Sequence, residues 1–245
     1  MNRENTFYKC WKKELTEFSA SLSVLRKKTD PDATHNIRVS IKKLRVWVTL
    51  YCLHVNDPAP LQKMETTESF FAVLGVQRDA ENCLKLITCY EKENTQVYPG
   101  LKKQLKYQLV QSRNRSKKAI EKYDKKDLSS LTFLFKQEEP DGKARTIILQ
   151  QFINQVAGIK KEYKQLHQLR RHLKMLYYWL LLMPDESDKS GFETDKLHAI
   201  LESLGEWQDL GSTEKRVRHF RKDCLAGIHL SLAGDKAPAG TRQWI

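Results

Sequence analysis

The segment THNIRVSIKKLRV, from Thr34 to Val46, carries four basic side chains at steps of three, four and three residues. They are His35, Arg38, Lys42 and Arg45. In an α-helix, which turns by about 100° per residue, these four fall within roughly an 80° arc. A separate apolar stripe consists of Ile37, Ile41, Leu44, Val48 and Tyr51. Because like charges at these spacings repel, the cationic face indicates either full solvation or contact with an anion.

The whole chain is basic. Its 245 residues have a formal net charge of +13, and 40% of them are hydrophobic, which is enough for a packed core. Such a charge excess favours a polyanionic partner, namely a nucleic acid, an anionic membrane surface or a phosphate polymer. A solvated basic surface is the alternative.

Cysteine usage and apolar runs indicate a soluble cytoplasmic protein. The cysteines are Cys10, Cys52, Cys83, Cys89 and Cys224. Their odd number and wide spacing, without a CxxC motif, predict free thiols in a reducing compartment. The first residues lack an apolar signal region. The longest apolar run, YYWLLLM at 177–183, is far too short to span a bilayer, so we expect no membrane insertion.

Helical periodicity dominates the chain, and no stretch alternates as a strand would. The fold class is therefore all-α, with short loops that favour antiparallel bundles. We expect a helix from about residue 61 that ends at Gly75, and a break between Leu204 and Trp207. Residues 128–143 are expected to be a linker with at most a short helix, and a further helix is expected over about 144–163.

Two motifs occur twice, in the same order and at nearly the same separation. HNIRVSIKKLR begins at His35 and HQLRRHLKMLY at His167, while LGVQRD begins at Leu74 and LGEWQD at Leu204. This repetition predicts a duplicated helical unit, with halves at about 5–126 and 143–228. We expect one domain over 1–228 and a loose tail over 229–245. Two antiparallel four-helix-type bundles would be related by a pseudo-two-fold axis, with a basic cleft between them.

The ordered set of motifs resembles the CHAD family, the conserved histidine α-helical domain. The matching residues are His35, Arg38, Lys42, Arg45, Gly75, Arg78, Asp79, His167, Arg170, Lys174, Gly205 and Asp209. The resemblance covers about residues 5–227. It implies two four-helix bundles around a basic channel, and binding of inorganic polyphosphate without catalysis or a cofactor, often at polyphosphate granules. Tyr177 departs from the pattern, since the family usually has a basic residue there.

The predicted polyphosphate-binding residues share a positive charge or, for histidine, the capacity to gain one. They are His35, Arg38, Lys42, Lys43, Arg45, Arg78, Lys106, Arg113, His167, Arg170, Arg171 and Lys174. Arginine suits bidentate contacts to phosphate oxygens and lysine acts as a point charge. For the histidines, a structural hydrogen bond at a helix start is the alternative. For the others, and above all for Lys106 and Arg113 on the basic helix over 101–125, the alternative is a solvated face.

Metal and catalytic sites are not expected. Asp79 and Asp209 have no second carboxylate at ligand spacing beside them, so we expect each to orient a basic neighbour or to cap a helix. The chain lacks a P-loop, a dinucleotide-binding glycine motif, HExxH and G-x-S-x-G. We therefore predict a binding protein and no enzyme.

Two other functions stay open on the sequence. Nucleic-acid binding would use aromatic residues among the cations, such as Tyr107, Tyr177 and Tyr178, for base stacking. A protein-interaction scaffold would dock an acidic partner on the basic face.

Overall fold

The computed structural model describes residues 6–93, 98–137, 142–159, 165–182 and 193–232, and these residues form helices joined by short turns, with no strand. The helices are α1 (Thr6–Lys27), α2 (Pro31–Val55), α3 (Ala59–Gln62), α4 (Glu65–Glu93), α5 (Pro99–Lys122), α6 (Lys126–Gln137), α7 (Gly142–Ala157), α8 (Leu166–Leu182) and α9 (Thr194–Leu232). The all-α fold class is confirmed.

Helix α2 begins where its sequence directs it to begin. Asp30 is the N-cap, and its side chain accepts a hydrogen bond from the backbone N–H of Ala33 at 2.9 Å. Pro31 occupies the first helical position, where its missing N–H costs nothing. The helix ends at Asn56, which adopts the left-handed conformation with φ of 53°.

Helix α2 lies at the centre of the structure and packs against α1, α3, α4, α7 and α8. The predicted apolar stripe of this helix is buried along its whole length. The main core also holds Trp11, Trp47 and Trp179, all fully buried, and so contains side chains from both predicted halves of the chain. The two-bundle arrangement and its pseudo-two-fold axis stay predictions.

The expected helix breaks at the two Leu-Gly motifs are wrong. Helix α4 continues through Gly75 and α9 continues through Gly205. A glycine inside a helix costs roughly 1 kcal/mol relative to alanine, and packing against neighbouring helices outweighs that cost. Each glycine lies in close contact with an arginine side chain from another helix.

The segment expected to be a linker is largely helical. Helix α6 places Leu128, Leu131 and Phe135 in the core at helical spacing. Phe135 stacks on Trp11 with ring centroids 4.5 Å apart, and the Trp11 indole N–H donates to the Thr132 hydroxyl at 3.0 Å. The local sequence favours a helix only weakly, and packing of the apolar stripe of α6 against α1 stabilises it.

Other boundaries differ in detail. Helix α7 ends at Ala157, earlier than expected, and residues 160–164 lie outside the described part. Helix α9 extends to Leu232, into the segment expected to be a loose tail, and residues 233–245 are likewise outside it. Cys10, Cys52, Cys83 and Cys89 are free thiols, whereas the side chain of Cys224 is not among those that the structure describes. In the described ranges, no helix combines the length and apolarity needed to cross a membrane.

Substitution of Phe135 tests the role of α6. We expect Phe135→Ala to lower the free energy of unfolding by about 3–5 kcal/mol, because it empties a filled aromatic site in the core. Phe133 on the same helix is 62% exposed, so Phe133→Ala should change stability by no more than about 0.5 kcal/mol. Urea unfolding followed by circular dichroism measures both. Equal effects would mean that α6 does not pack as described.

Candidate anion-binding site

Three helices bring seven basic side chains together. We call this group the cation cluster: His35, Arg38, Lys42 and Arg45 from α2, Arg78 from α4, and Arg170 and Lys174 from α8. Lys42 lies among Lys174, Arg38, Arg170 and Arg45, whose charges all act on its ammonium group. The basic faces of the two repeated motifs thus meet in one place.

Arg38 is held by helix α4 rather than by a carboxylate. Its guanidinium group donates a hydrogen bond to the backbone carbonyl of Phe71 at 2.8 Å and lies 4.1 Å from the centroid of the Phe71 ring. The same group crosses the backbone at Gly75, where an added Cβ would lie 2.7 Å from Arg38 Nη1. The absence of a side chain at Gly75 therefore makes room for Arg38.

Arg170 repeats this arrangement on helix α9. An added Cβ at Gly205 would lie 3.1 Å from Arg170 Nη2, and Nη1 donates to the side-chain oxygen of Gln208 at 3.1 Å. The Nε–H of Arg170 is buried and has no hydrogen-bond partner among the described residues. A buried donor left unpaired is costly, so this group favours an acceptor that arrives with a ligand.

The two motifs differ one helical turn beyond their lysines. Arg45 forms an ion pair with Glu68 of α4, and its guanidinium lies 5.3 Å from the Phe71 ring centroid. In the second motif Tyr177 packs on His198 of α9, with ring centroids 5.4 Å apart. Arg45 and Tyr177 occupy matching positions in the two repeats, and so do Glu68 and His198. The ion pair of the first repeat is therefore replaced in the second by a pair of aromatic rings. The second motif therefore contributes fewer cations.

The electrostatic environment of the cluster strongly disfavours additional positive charge. Burial lowers the pKa of Lys42 to about 7, and the charges of Lys174, Arg38, Arg170 and Arg45 act in the same direction. Burial, followed by Arg170 and Arg38, also lowers the pKa of Lys174. No carboxylate within the described ranges forms an ion pair with Lys42. The Lys42 ammonium group can therefore form an ion pair with an external anion.

His35 lies at the exposed start of the cationic face. Partial burial of its ring lowers the pKa of His35, and the charges of Arg78, Lys42, Lys174 and Arg38 lower it further. In the unliganded protein the imidazole is thus predominantly neutral at pH 7. An anion in the cluster would reverse this effect, because an opposite charge raises the pKa of a base.

Two aspartates lie beside the cluster. The charge of Asp79 acts on Arg38. Asp79 and Asp209 both lie inside helices, so the expectation that either caps a helix is wrong. Burial raises the pKa of Asp209, while Arg170 opposes this effect, and Asn82 donates to the Asp209 carboxylate at 3.2 Å. No group of three or more potential metal ligands occurs in the described ranges.

Five predicted site residues are not among the seven that define the cluster. Lys43 turns to helix α1, where it pairs with the buried Glu14 at 2.6 Å. His167 and Arg171 are exposed on α8. Lys106 is exposed on α5, beside Lys102 and Lys103.

Arg113 also lies apart, within 3.4 Å of Glu81 and at the edge of a different cavity. By helical spacing, Lys43 and Arg171 lie at the margins of the two basic faces.

A family model for the CHAD domain matches residues 9–218. The chain belongs to the CHAD family. A crystal structure of the CHAD domain from the plant Ricinus communis superposes with a TM-score of 0.68 at 16% sequence identity, covering 90% of this chain and 79% of that one. This similarity concerns the fold. No curated protein matches the sequence.

Within this CHAD chain, Phe71 is the residue that sequence reasoning missed. Its ring lies 4.1 Å from the Arg38 guanidinium, 5.7 Å from the Lys42 ammonium and 5.3 Å from the Arg45 guanidinium. A helix that continues through Gly75 places Phe71 one turn before the glycine on the same face. The expected break at Gly75 concealed this relationship.

The contact between Arg38 and Gly75 predicts an unusual response to alanine. Gly211→Ala should raise the free energy of unfolding by about 1 kcal/mol, because Gly211 is helical with open space around it. Gly75→Ala should gain markedly less, since its methyl group displaces the Arg38 guanidinium from the Phe71 carbonyl. Denaturant unfolding of both variants measures the difference.

The same substitution in an Arg38→Ala background provides the control. There the obstructing guanidinium is gone, so Gly75→Ala should recover the full gain seen at Gly211. A Gly75→Ala effect that is the same in both backgrounds would show that the contact does not constrain position 75.

Proposed function

We propose that this CHAD protein binds inorganic polyphosphate, or a similar phosphate polymer, at the cation cluster without catalysing its turnover. The observation that carries the proposal is Lys42, a half-buried ammonium among four other cations with no ion-pair partner in the described structure. A polymer that brings several negative charges at once would relieve the repulsion among all of these groups. Family membership supports the same ligand, because CHAD domains are known as polyphosphate-binding, generally non-catalytic modules.

The arginines are arranged for phosphate rather than for internal ion pairs. Arg38 uses one nitrogen for the Phe71 carbonyl, and Arg170 uses one for Gln208. Neither forms an ion pair in the described part of the chain, and the buried Nε–H of Arg170 lacks an acceptor. Phosphate oxygens accept such charge-assisted hydrogen bonds strongly. Contacts from both motifs would hold one polymer segment across α2 and α8.

The aromatic residues near the cluster disfavour nucleic-acid binding. Phe71 is already covered by Arg38, Lys42 and Arg45. Tyr178 is buried, and Tyr177 packs between Tyr178 and His198. Tyr107 is 66% exposed on α5, but a separate helix carries it. Sequence-tolerant binding of single strands depends on accessible rings that stack on bases, and the cluster offers few.

The proposal predicts tight, salt-sensitive binding that depends on both motifs. Titration with long-chain polyphosphate should show at least a tenfold loss of affinity between about 50 mM and about 200 mM salt, by release of counterions. The Arg38→Ala/Arg170→Ala variant should bind about a hundredfold more weakly, since each charged hydrogen bond contributes about 1.5 kcal/mol or more. Isothermal calorimetry measures both effects.

Charge-matched controls make that result specific. Lys12→Ala/Lys63→Ala removes two exposed lysines that lie outside the cluster, and should bind nearly as the unmodified protein does. Circular dichroism and urea unfolding should confirm that the arginine variant is folded. Unchanged binding by a folded Arg38→Ala/Arg170→Ala protein would move the site elsewhere, with the basic helix α5 as the first place to look.

Competition separates the remaining functions. At equal phosphate concentration, polyphosphate should displace single-stranded DNA or RNA from the protein. Displacement in the opposite order would favour nucleic-acid binding. Weak binding of every phosphate polymer would favour an acidic protein partner. Co-localisation with polyphosphate granules, which family membership suggests, would disappear in the Arg38→Ala/Arg170→Ala variant.

Binding should also depend on pH through Lys42. In the unliganded protein the pKa of Lys42 is about 7, and a bound polyanion raises it, so binding takes up a proton above pH 7. The contribution of Lys42 to affinity is therefore fully present well below pH 7 and falls between pH 7 and 9, by at most about tenfold per pH unit for one proton. Titrations across this range test the prediction.

Lys42→Arg provides the matched variant, since arginine stays charged throughout and His35 is present in both proteins. Its affinity should change less with pH than that of the unmodified protein. Identical pH profiles for the two proteins would exclude Lys42 as the titrating group.

A further inference from the structure

A second basic region surrounds a cavity of about 170 Å³. The end of α1, the turn into α2, and helices α4 and α5 form its walls. A cavity of roughly 150 Å³ is large enough to hold a benzene-sized molecule. This cavity therefore has room for a compact ligand, but it cannot enclose a long polymer.

The charge around this cavity is strongly one-sided. Five of its lining residues are cations and one is a carboxylate: Arg26, Lys27, Lys28, Arg113, Lys117 and Glu121. Within the described structure, Arg26 donates to the Tyr123 carbonyl, Lys28 pairs with Asp30, and Arg113 lies near Glu81. Lys27 and Lys117 have no ion-pair partner there. Two lysines from different helices are thus available to one anion.

Buried polar groups also line the cavity. Thr34, Gln77 and Ser116 are each no more than 3% exposed. The Ser116 hydroxyl is buried and has no hydrogen-bond partner among the described residues. Buried hydroxyls are normally paired, and one that is not requires an explanation. A polar wall beneath a basic rim suits an oxygen-rich anion rather than an apolar ligand.

The cavity is separate from the cation cluster. None of the seven cluster residues lines it. Glu81 stands between the two regions, with one carboxylate oxygen 3.8 Å from Arg78 and the other 3.4 Å from Arg113. This negative charge partly divides the basic surface, so an anion in the cavity would be held by a different set of side chains.

We infer that this cavity is a second anion-binding site, which takes a compact phosphate-bearing group of the size of pyrophosphate or tripolyphosphate. Lys27 and Lys117 supply the free charges, Arg113 flanks them, and the polar wall accepts and donates hydrogen bonds. The site does not depend on polymer binding at the cation cluster. Its ligand is either a free small phosphate compound or the end of a longer chain.

Calorimetry with tripolyphosphate tests the site. The unmodified protein and the Arg38→Ala/Arg170→Ala variant should both bind it. Lys27→Ala/Lys117→Ala should weaken the binding at least tenfold when combined with Arg38→Ala/Arg170→Ala, whereas Lys12→Ala/Lys63→Ala in the same background should not. Lys27 and Lys117 make no ion pair in the described structure, so their loss should leave the unfolding transition unchanged.

The outcomes separate this inference from the polyphosphate proposal. Complete loss of tripolyphosphate binding in Arg38→Ala/Arg170→Ala alone would overturn the second site, whether or not long chains bind at the cluster. Retained binding that Lys27→Ala/Lys117→Ala abolishes would support it even if long-chain polyphosphate failed to bind. In the Arg38→Ala/Arg170→Ala background, long-chain polyphosphate can be added to compete with bound tripolyphosphate. Displacement of tripolyphosphate in proportion to the number of added chain ends would identify chain ends as the ligand. Absence of displacement would identify a free compact phosphate.

Discussion

Arg38 and Arg170 each lie against a glycine in the middle of a neighbouring helix, and the geometry of the cation cluster follows from these two contacts. A Cβ at Gly75 would lie 2.7 Å from the Arg38 guanidinium, and one at Gly205 would lie 3.1 Å from that of Arg170. The glycines allow each arginine to cross its neighbouring helix. Within the described residues, backbone, amide and ring contacts hold the two arginines and neither forms an ion pair, so both keep charge for a polyanion.

This arrangement concentrates like charges at a cost to the unliganded protein. The depressed pKa of Lys42 reflects that cost, since burial and the surrounding cations both disfavour its protonated form. Acidic side chains relieve the repulsion at the margins, with Glu68 on Arg45 and Glu81 near Arg78. Repulsion at the centre is left for a ligand to relieve. Stability and binding are therefore coupled through the same few groups.

Sequence reasoning predicted the parts of the structure that depend on local periodicity. The buried stripe of α2 follows from the spacing of its apolar residues. It failed at Gly75 and Gly205, because helix propensity treats a glycine as a weak point and cannot see an arginine arriving from another helix. It predicted a linker with at most a short helix where α6 forms, because the apolar stripe of that helix is recognisable only from its packing against Trp11 on α1.

The candidate site shows the same division. Spacing alone identified His35, Arg38 and Lys42 as one face, and the repeated motif added Arg170 and Lys174. Tertiary structure decided that these faces meet, that Lys43 turns to Glu14, and that Arg113 lies at another cavity. The physical reason is that periodicity determines which side chains share a helix face, because that depends only on the turn per residue. Which faces come together depends on the packing of distant apolar side chains, and that packing exists only in the folded chain.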